Sequence, residues 1–434
     1  MVNSPTTMSS GGDAPRAVGT FQLLALGVNG IVGVGIFFVP AAVAASAPGF
    51  GTVAVFALTG LALLPAALAF ARLGARFDED GGPVVFARAA FGGSFSALVG
   101  WITYVSAFFS AAAVLVGLTQ AVAPLVGLEG PLARRLAALT MLSLIVLIVA
   151  SGLRLSARIW TSLTVLKLVP LLLLLAAWAA YSGPTATPAP ALPSMGWLRA
   201  GLTAMFACQG FEIVPVIAGQ VRSSARAVPR ATVGSLVLSV TLYIGLAWAC
   251  VVALPGLASS PAPLVDAAGV LGGAGLGTLV YFGTSISALG IAFGMLVTTP
   301  RYLSSMAAGE GGLFGLDRIA ADGVPRRALI VTWLLVGVFV AVGELGELFA
   351  LSSLAVLMQF GVTAAALLAL ALRRERGLRP RDAWPAPLTL VVAVGFAAFG
   401  ATAREGLVAV GVVGVGIVAL WWARRARAAA APSS

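Results

Sequence analysis

Gly30-Ile31-Val32-Gly33-Val34-Gly35-Ile36-Phe37 interrupts an apolar run that extends from about Phe21 to Ala45. Each of its three glycines weakens a helix by about 1 kcal/mol relative to alanine. In lipid, loosened backbone is tolerated only where it is buried in protein or lines a watery cavity. The stretch therefore predicts a ligand site made of main-chain N–H and C=O groups at the depth of the bilayer centre.

The rest of the chain supports a membrane setting. Hydrophobic residues make up 60% of the 434 and charged residues 9%, against about 25% charge in soluble chains. The net charge is +11, but the basic residues lie in short clusters between apolar runs. That pattern fits positive-inside topology and argues against a nucleic-acid partner. There is no histidine, and the two cysteines are Cys208 and Cys250. Histidine-based metal sites and histidine-dependent triads are thereby excluded, and no disulfide framework is implied. No cofactor or metal is expected. Residues 1–17 read as a disordered polar tail without a signal peptide.

Twelve apolar segments are long enough to cross a bilayer at about 20 residues per span. With the N-terminus inside, 21 basic residues fall on the inner side and 4 on the outer, leaving Lys167 within a span. An even number of spans with both termini cytoplasmic follows. Residues 426–434 then form a cytoplasmic tail. Of the acidic residues, only Glu212 falls inside a span. Intramembrane ionisable groups such as Lys167 and Glu212 are functional candidates by default.

A second interruption, Phe206-Ala207-Cys208-Gln209-Gly210-Phe211-Glu212-Ile213-Val214-Pro215, lies in the sixth segment. Matching breaks five spans apart predict an inverted repeat of five-helix units with substrate held between them. The units are residues 18–181 and 199–372, followed by two further spans over 385–425.

At these two segments the chain resembles the amino acid–polyamine–organocation superfamily of secondary transporters. Gly33-Val34-Gly35-Ile36-Phe37-Phe38-Val39-Pro40 is similar to its G-x-G-I-F-x-x-P motif. Phe206 to Glu212, followed by Val228-Pro229-Arg230-Ala231, is similar to F-x-x-x-G-F-E and a basic loop ending in P-R/K-A. The resemblance covers about residues 18 to 425 and implies an all-α membrane protein of the LeuT-type 5+5 inverted-repeat fold, with broken first and sixth helices. One departure is Gln220-Val221-Arg222-Ser223-Ser224, where the family usually places an acid followed by V-x-N-P. Asp78, Glu79 and Asp80, after the second span, are alternative partners for nearby arginines.

The resemblance implies an amino acid substrate. The second half of a broken helix presents free N–H groups and a positive dipole end, which suits a carboxylate. Val34, Gly35 and Ile36 are assigned that role. The first half ends in free C=O groups, which suit an ammonium. Carbonyls near Gly30 and Ile31, with Gly33 allowing close approach, and those of Phe206, Ala207, Cys208 and Gln209 before Gly210 are assigned to it. Phe206 matches the family's aromatic gate or is ordinary core. Lys167, on the fifth helix, stands where proton-coupled relatives place a lysine and sodium-coupled ones an ion. Burial disfavours its charged form, as a reversible proton carrier requires; a lysine snorkelling to the interface is the alternative. Thr284, Ser285 and Ser287 offer a sodium site instead. Glu212 either titrates or holds the unwound sixth helix by hydrogen bonds.

The expectation is a proton-coupled carrier of neutral amino acids in a cell (inner) membrane, with protons and the lipid bilayer as its other partners. Exchange or export remains open within that class. A channel needs a continuous polar stripe on several spans, and an enzyme needs more reactive groups than the span interiors hold. A non-transporting receptor is a further alternative. The sequence leaves the oligomeric state unknown.

Overall fold

The computed structural model describes residues 18–33, 35–152, 157–183, 196–309 and 313–430. The tail expected over 1–17 lies outside them; of the one expected over 426–434, residues 431–434 lie outside and 426–430 instead continue the last helix. Among the described residues the chain is helical throughout. It has no sheet, only an isolated parallel bridge between Val18 and Val221. In lipid, where water cannot satisfy the backbone, a helix satisfies its own.

The first apolar run forms α1 (Thr20–Ile31) and α2 (Gly35–Ala44), bent by 45° at the glycines. Next come α3 (Phe50–Gly74), the short α4 (Pro83–Phe91), α5 (Gly93–Val122), α6 (Pro131–Ala150) and α7 (Ala157–Ala180). The second interruption separates α8 (Gly196–Cys208) from a 3₁₀ helix over Phe211–Gln220. Then follow α9 (Ser224–Ala253), α10 (Pro263–Gly309), α11 (Arg326–Val342), α12 (Leu345–Leu372), α13 (Pro385–Gly395) and α14 (Ala403–Ala430).

Among the described residues, nine helices are long and apolar enough to cross a membrane, or ten when α1 and α2 count as one bent span. Of the twelve expected segments, α11, with 17 residues, falls just short of that length, whereas α7 extends over 24.

Burial separates centre from rim. The most apolar window of α5 is 83% buried, whereas those of α6 and α14 are 22% buried. So α5 sits inside the bundle, packed on α10 and α12, and α6 and α14 face lipid. Aromatic residues fix the second interruption in place. Phe211 packs between Phe70 and Phe360, at centroid distances of 5.9 and 5.1 Å. Each such pair contributes about 0.5–1.5 kcal/mol beyond area burial.

The arginine-rich loops meet at one end of the bundle. Arg72 donates to the Asp382 carbonyl and Arg373 to that of Ala90. At the other end Arg199 of α8 forms a two-pronged ion pair with buried Glu405 of α14, and Arg404 pairs with Glu347 at 3.4 Å.

Candidate functional site

The first break is a true end of helix. Val32 N–H still bonds the Val28 carbonyl at 2.7 Å, and Gly33 N–H turns back to the Ile31 carbonyl at 2.6 Å. Helix resumes at Gly35, so the Gly35 and Ile36 N–H groups belong to a fresh N-terminus without intrahelical acceptors. Val34 lies outside the described residues. Gly35 is pressed onto α8: a Cβ there would lie 2.7 Å from the Ala207 Cα. The positive end of α2 therefore faces the last turn of α8.

Two side chains hold the carbonyls that the break frees. Lys167 Nζ donates to the Asn29 carbonyl at 2.9 Å and is 4% exposed. Its ammonium reaches the first break. Tyr243 of α9 donates its hydroxyl to the Ile31 carbonyl at 2.7 Å. The sequence reading missed Tyr243, an ordinary tyrosine on an apolar span until its contact is seen. Replacing it with phenylalanine removes that donor, and a net loss of about 1 kcal/mol is expected. A lower melting temperature of purified Tyr243→Phe than wild type checks this; unchanged melting contradicts it.

The second break meets the first. α8 ends with the Gln209 N–H bonded to the Met205 carbonyl at 3.0 Å. Gly210 then takes φ 128°, a conformation open to glycine, and its N–H donates to Glu212 Oε2 at 2.8 Å. Glu212 thus holds the break by a hydrogen bond. A Cβ on Gly210 would lie 2.5 Å from the carbonyl carbon and oxygen of Gly30. The two interruptions touch backbone to backbone.

A cavity of about 550 Å³ opens from this junction. Gly30, Ile31, Gly33, Gly35, Phe206, Gln209, Gly210 and Glu212 line it, whereas Ile36, Ala207 and Cys208 are buried and do not. It runs past Thr103 and Thr298 to exposed Arg301, at the arginine-rich end. At its inner limit, Phe206 packs on buried Phe349 of α12, ring centroids 4.4 Å apart. A wider recess of about 670 Å³ beside Asp266 touches neither break.

The alternative sodium ligands Thr284, Ser285 and Ser287 are not among the cavity-lining residues. Thr284 and Ser287 of α10 are buried, and the Thr284 hydroxyl bonds the Val280 carbonyl. The acidic loop after α3, expected as a partner for nearby arginines, also binds backbone. Asp80 Oδ1 accepts the Gly219 N–H at 3.0 Å, and Gly81 N–H bonds the Val216 carbonyl at 2.8 Å. That loop therefore fastens the far end of the second interruption.

Residues 18–423 match the family described as amino acid permease. An uncharacterised transporter of Mycobacterium tuberculosis is 27% identical over 416 residues, covering 93% of this chain and 90% of that protein. The chloroplastic cationic amino acid transporter 9 of Arabidopsis thaliana is 28% identical over 60% of this chain and 49% of its own length. The branched-chain amino acid permease BcaP of Bacillus subtilis is 27% identical over 53% of each chain.

Proposed function

We infer a mode of action from the premise that the chain belongs to the amino acid permease family. It is a multi-pass membrane transporter, and its transport is secondary, by alternating access, with amino acids as cargo and protons as the driving ion. The reading has twelve spans: two inverted five-helix units, then α13 and α14. The contact of Gly210 with Gly30 carries it, because interruptions five spans apart in sequence meet at one cavity.

The named relatives differ in cargo, one cationic and one branched-chain, so this cavity's own chemistry decides. Glu212 is engaged by the Gly210 N–H, and Arg301 stands at the open end. Neither favours a cationic substrate side chain, which supports neutral amino acids. The substrate carboxylate is assigned to the N–H groups that open α2, and its ammonium to the carbonyls that end α8. The Ile31 carbonyl already accepts from Tyr243 and Gly33, which favours the α8 carbonyls for the ammonium.

Positive-inside topology puts the arginine-rich end, both termini and the open mouth of the cavity in the cytoplasm. On that reading the conformation faces inward, with Phe206 and Phe349 closing the outer side. Lys167 is the proton carrier: its contact with Asn29 ties its protonation to the first break.

A thermal-shift panel of the twenty amino acids and several polyamines tests the substrate class on purified protein. Neutral amino acids are expected to raise the melting temperature. Stabilisation only by polyamines, lysine or arginine, or by nothing in the panel, contradicts the reading.

A further inference from the structure

At the level of the two breaks, one wall of the cavity carries the Gln209 amide and the Ser110 hydroxyl, backed by the buried hydroxyl of Ser352. Gln209 Nε2 donates to Ser352 Oγ of α12 at 2.9 Å and to Ser110 Oγ of α5 at 3.3 Å. The two hydroxyls are themselves 2.6 Å apart. Ser110 and Gln209 both line the cavity, with Ser106 and Gln359 further along the same side. Three elements thus bring polar side chains to one point in an otherwise apolar interior.

The cluster is incomplete. Gln209 Oε1 is buried, and among the described residues no donor reaches it. Turning the amide over moves the deficit to its other end without removing it. Buried polar atoms without a partner are rare in native proteins and call for a reason. A donor that arrives with the substrate supplies one. Charge does not: Glu212 holds Gly210, Lys167 holds Asn29, and Arg301 lies at the mouth.

We propose that Gln209, with Ser110 and Ser352, forms a subsite for a short, uncharged hydroxyl or amide side chain on the transported amino acid. The proposal rests on the reading that the cavity holds an amino acid. Gln209 immediately precedes the break that receives the ammonium, so the substrate side chain lies beside its amide. A hydroxyl or primary amide both donates and accepts, and completes Gln209 in either orientation. An aliphatic side chain of the same size leaves it unmatched, and sites built for hydrogen bonds reject such analogues.

Threonine and valine have nearly the same shape and differ in the hydroxyl, so their relative affinity reads the subsite. Competition binding in nanodiscs, with alanine as the common reference, measures it. Wild type is expected to bind threonine at least about tenfold tighter than valine. In Gln209→Met that ratio falls toward one. Equal or tighter binding of valine by wild type overturns the proposal, as does a Gln209→Met protein that keeps the ratio, because the cluster is then only a fastening between helices. Alanine binding without threonine preference overturns the subsite alone, as does failure of all three where another neutral amino acid binds; failure of every amino acid in the thermal-shift panel overturns the amino acid reading with it. The wild-type ratio decides the matter even where Gln209→Met does not fold.

Discussion

Gly210→Ala abolishes transport. The residue sits at φ 128°, in a region essentially confined to glycine, where another residue costs on the order of 1–3 kcal/mol. The added Cβ also lies 2.5 Å from the Gly30 carbonyl. Backbone cannot yield there as a flexible side chain would, so the two interruptions must separate. Misplacement of binding groups by about 1 Å lowers rates by about 100-fold, and uptake in proteoliposomes is expected to fall at least that far. Gly33→Ala is the contrast, since a Cβ at Gly33 first meets Ile291 Cδ1 at an ordinary 3.6 Å. Its uptake should fall much less. Wild-type uptake by Gly210→Ala, with equal protein reconstituted, contradicts the site.

Lys167→Met uncouples the carrier. Its ammonium now donates to the Asn29 carbonyl, in the last turn before the first break, from a position 4% exposed. Methionine keeps the length and apolar stem but offers neither proton nor donor. Concentrative uptake under an inward proton gradient is expected to disappear, leaving inside and outside concentrations equal. Counterflow exchange of labelled for unlabelled substrate persists, because both halves of the cavity remain. Continued proton-driven accumulation by Lys167→Met assigns the coupling elsewhere. Loss of exchange as well makes the lysine a structural prop for α1.

The breaks were legible because they violate local rules: glycines and polar residues stand where a lipid-embedded helix should be uniform. Lys167 and Glu212 were legible for the same reason, as ionisable groups in an apolar run. Their partners were not. Nothing in the order of residues places Lys167 against Asn29, or Gly210 against Gly30, since these contacts depend on how distant helices pack. Single hydroxyls are quieter still. Tyr243, Ser110 and Ser352 resemble ordinary members of their spans, and only their contacts distinguish them. Glu212 shows a different limit: its hydrogen bond to the next-but-one N–H is local, yet the sequence could not choose between a cap and a titrating group. The Gly343-Glu344 turn was legible too: α11 stops there after 17 residues, at the short end of what crosses a bilayer.

Proteoliposomes loaded at neutral pH and diluted into acidic, sodium-free buffer test the central claim most directly, with membrane potential clamped and the tightest-binding amino acid as labelled cargo. The account predicts accumulation above the external concentration, collapsing when a protonophore is added. Accumulation that requires sodium and ignores the proton gradient, or flux that never exceeds equilibration, contradicts it.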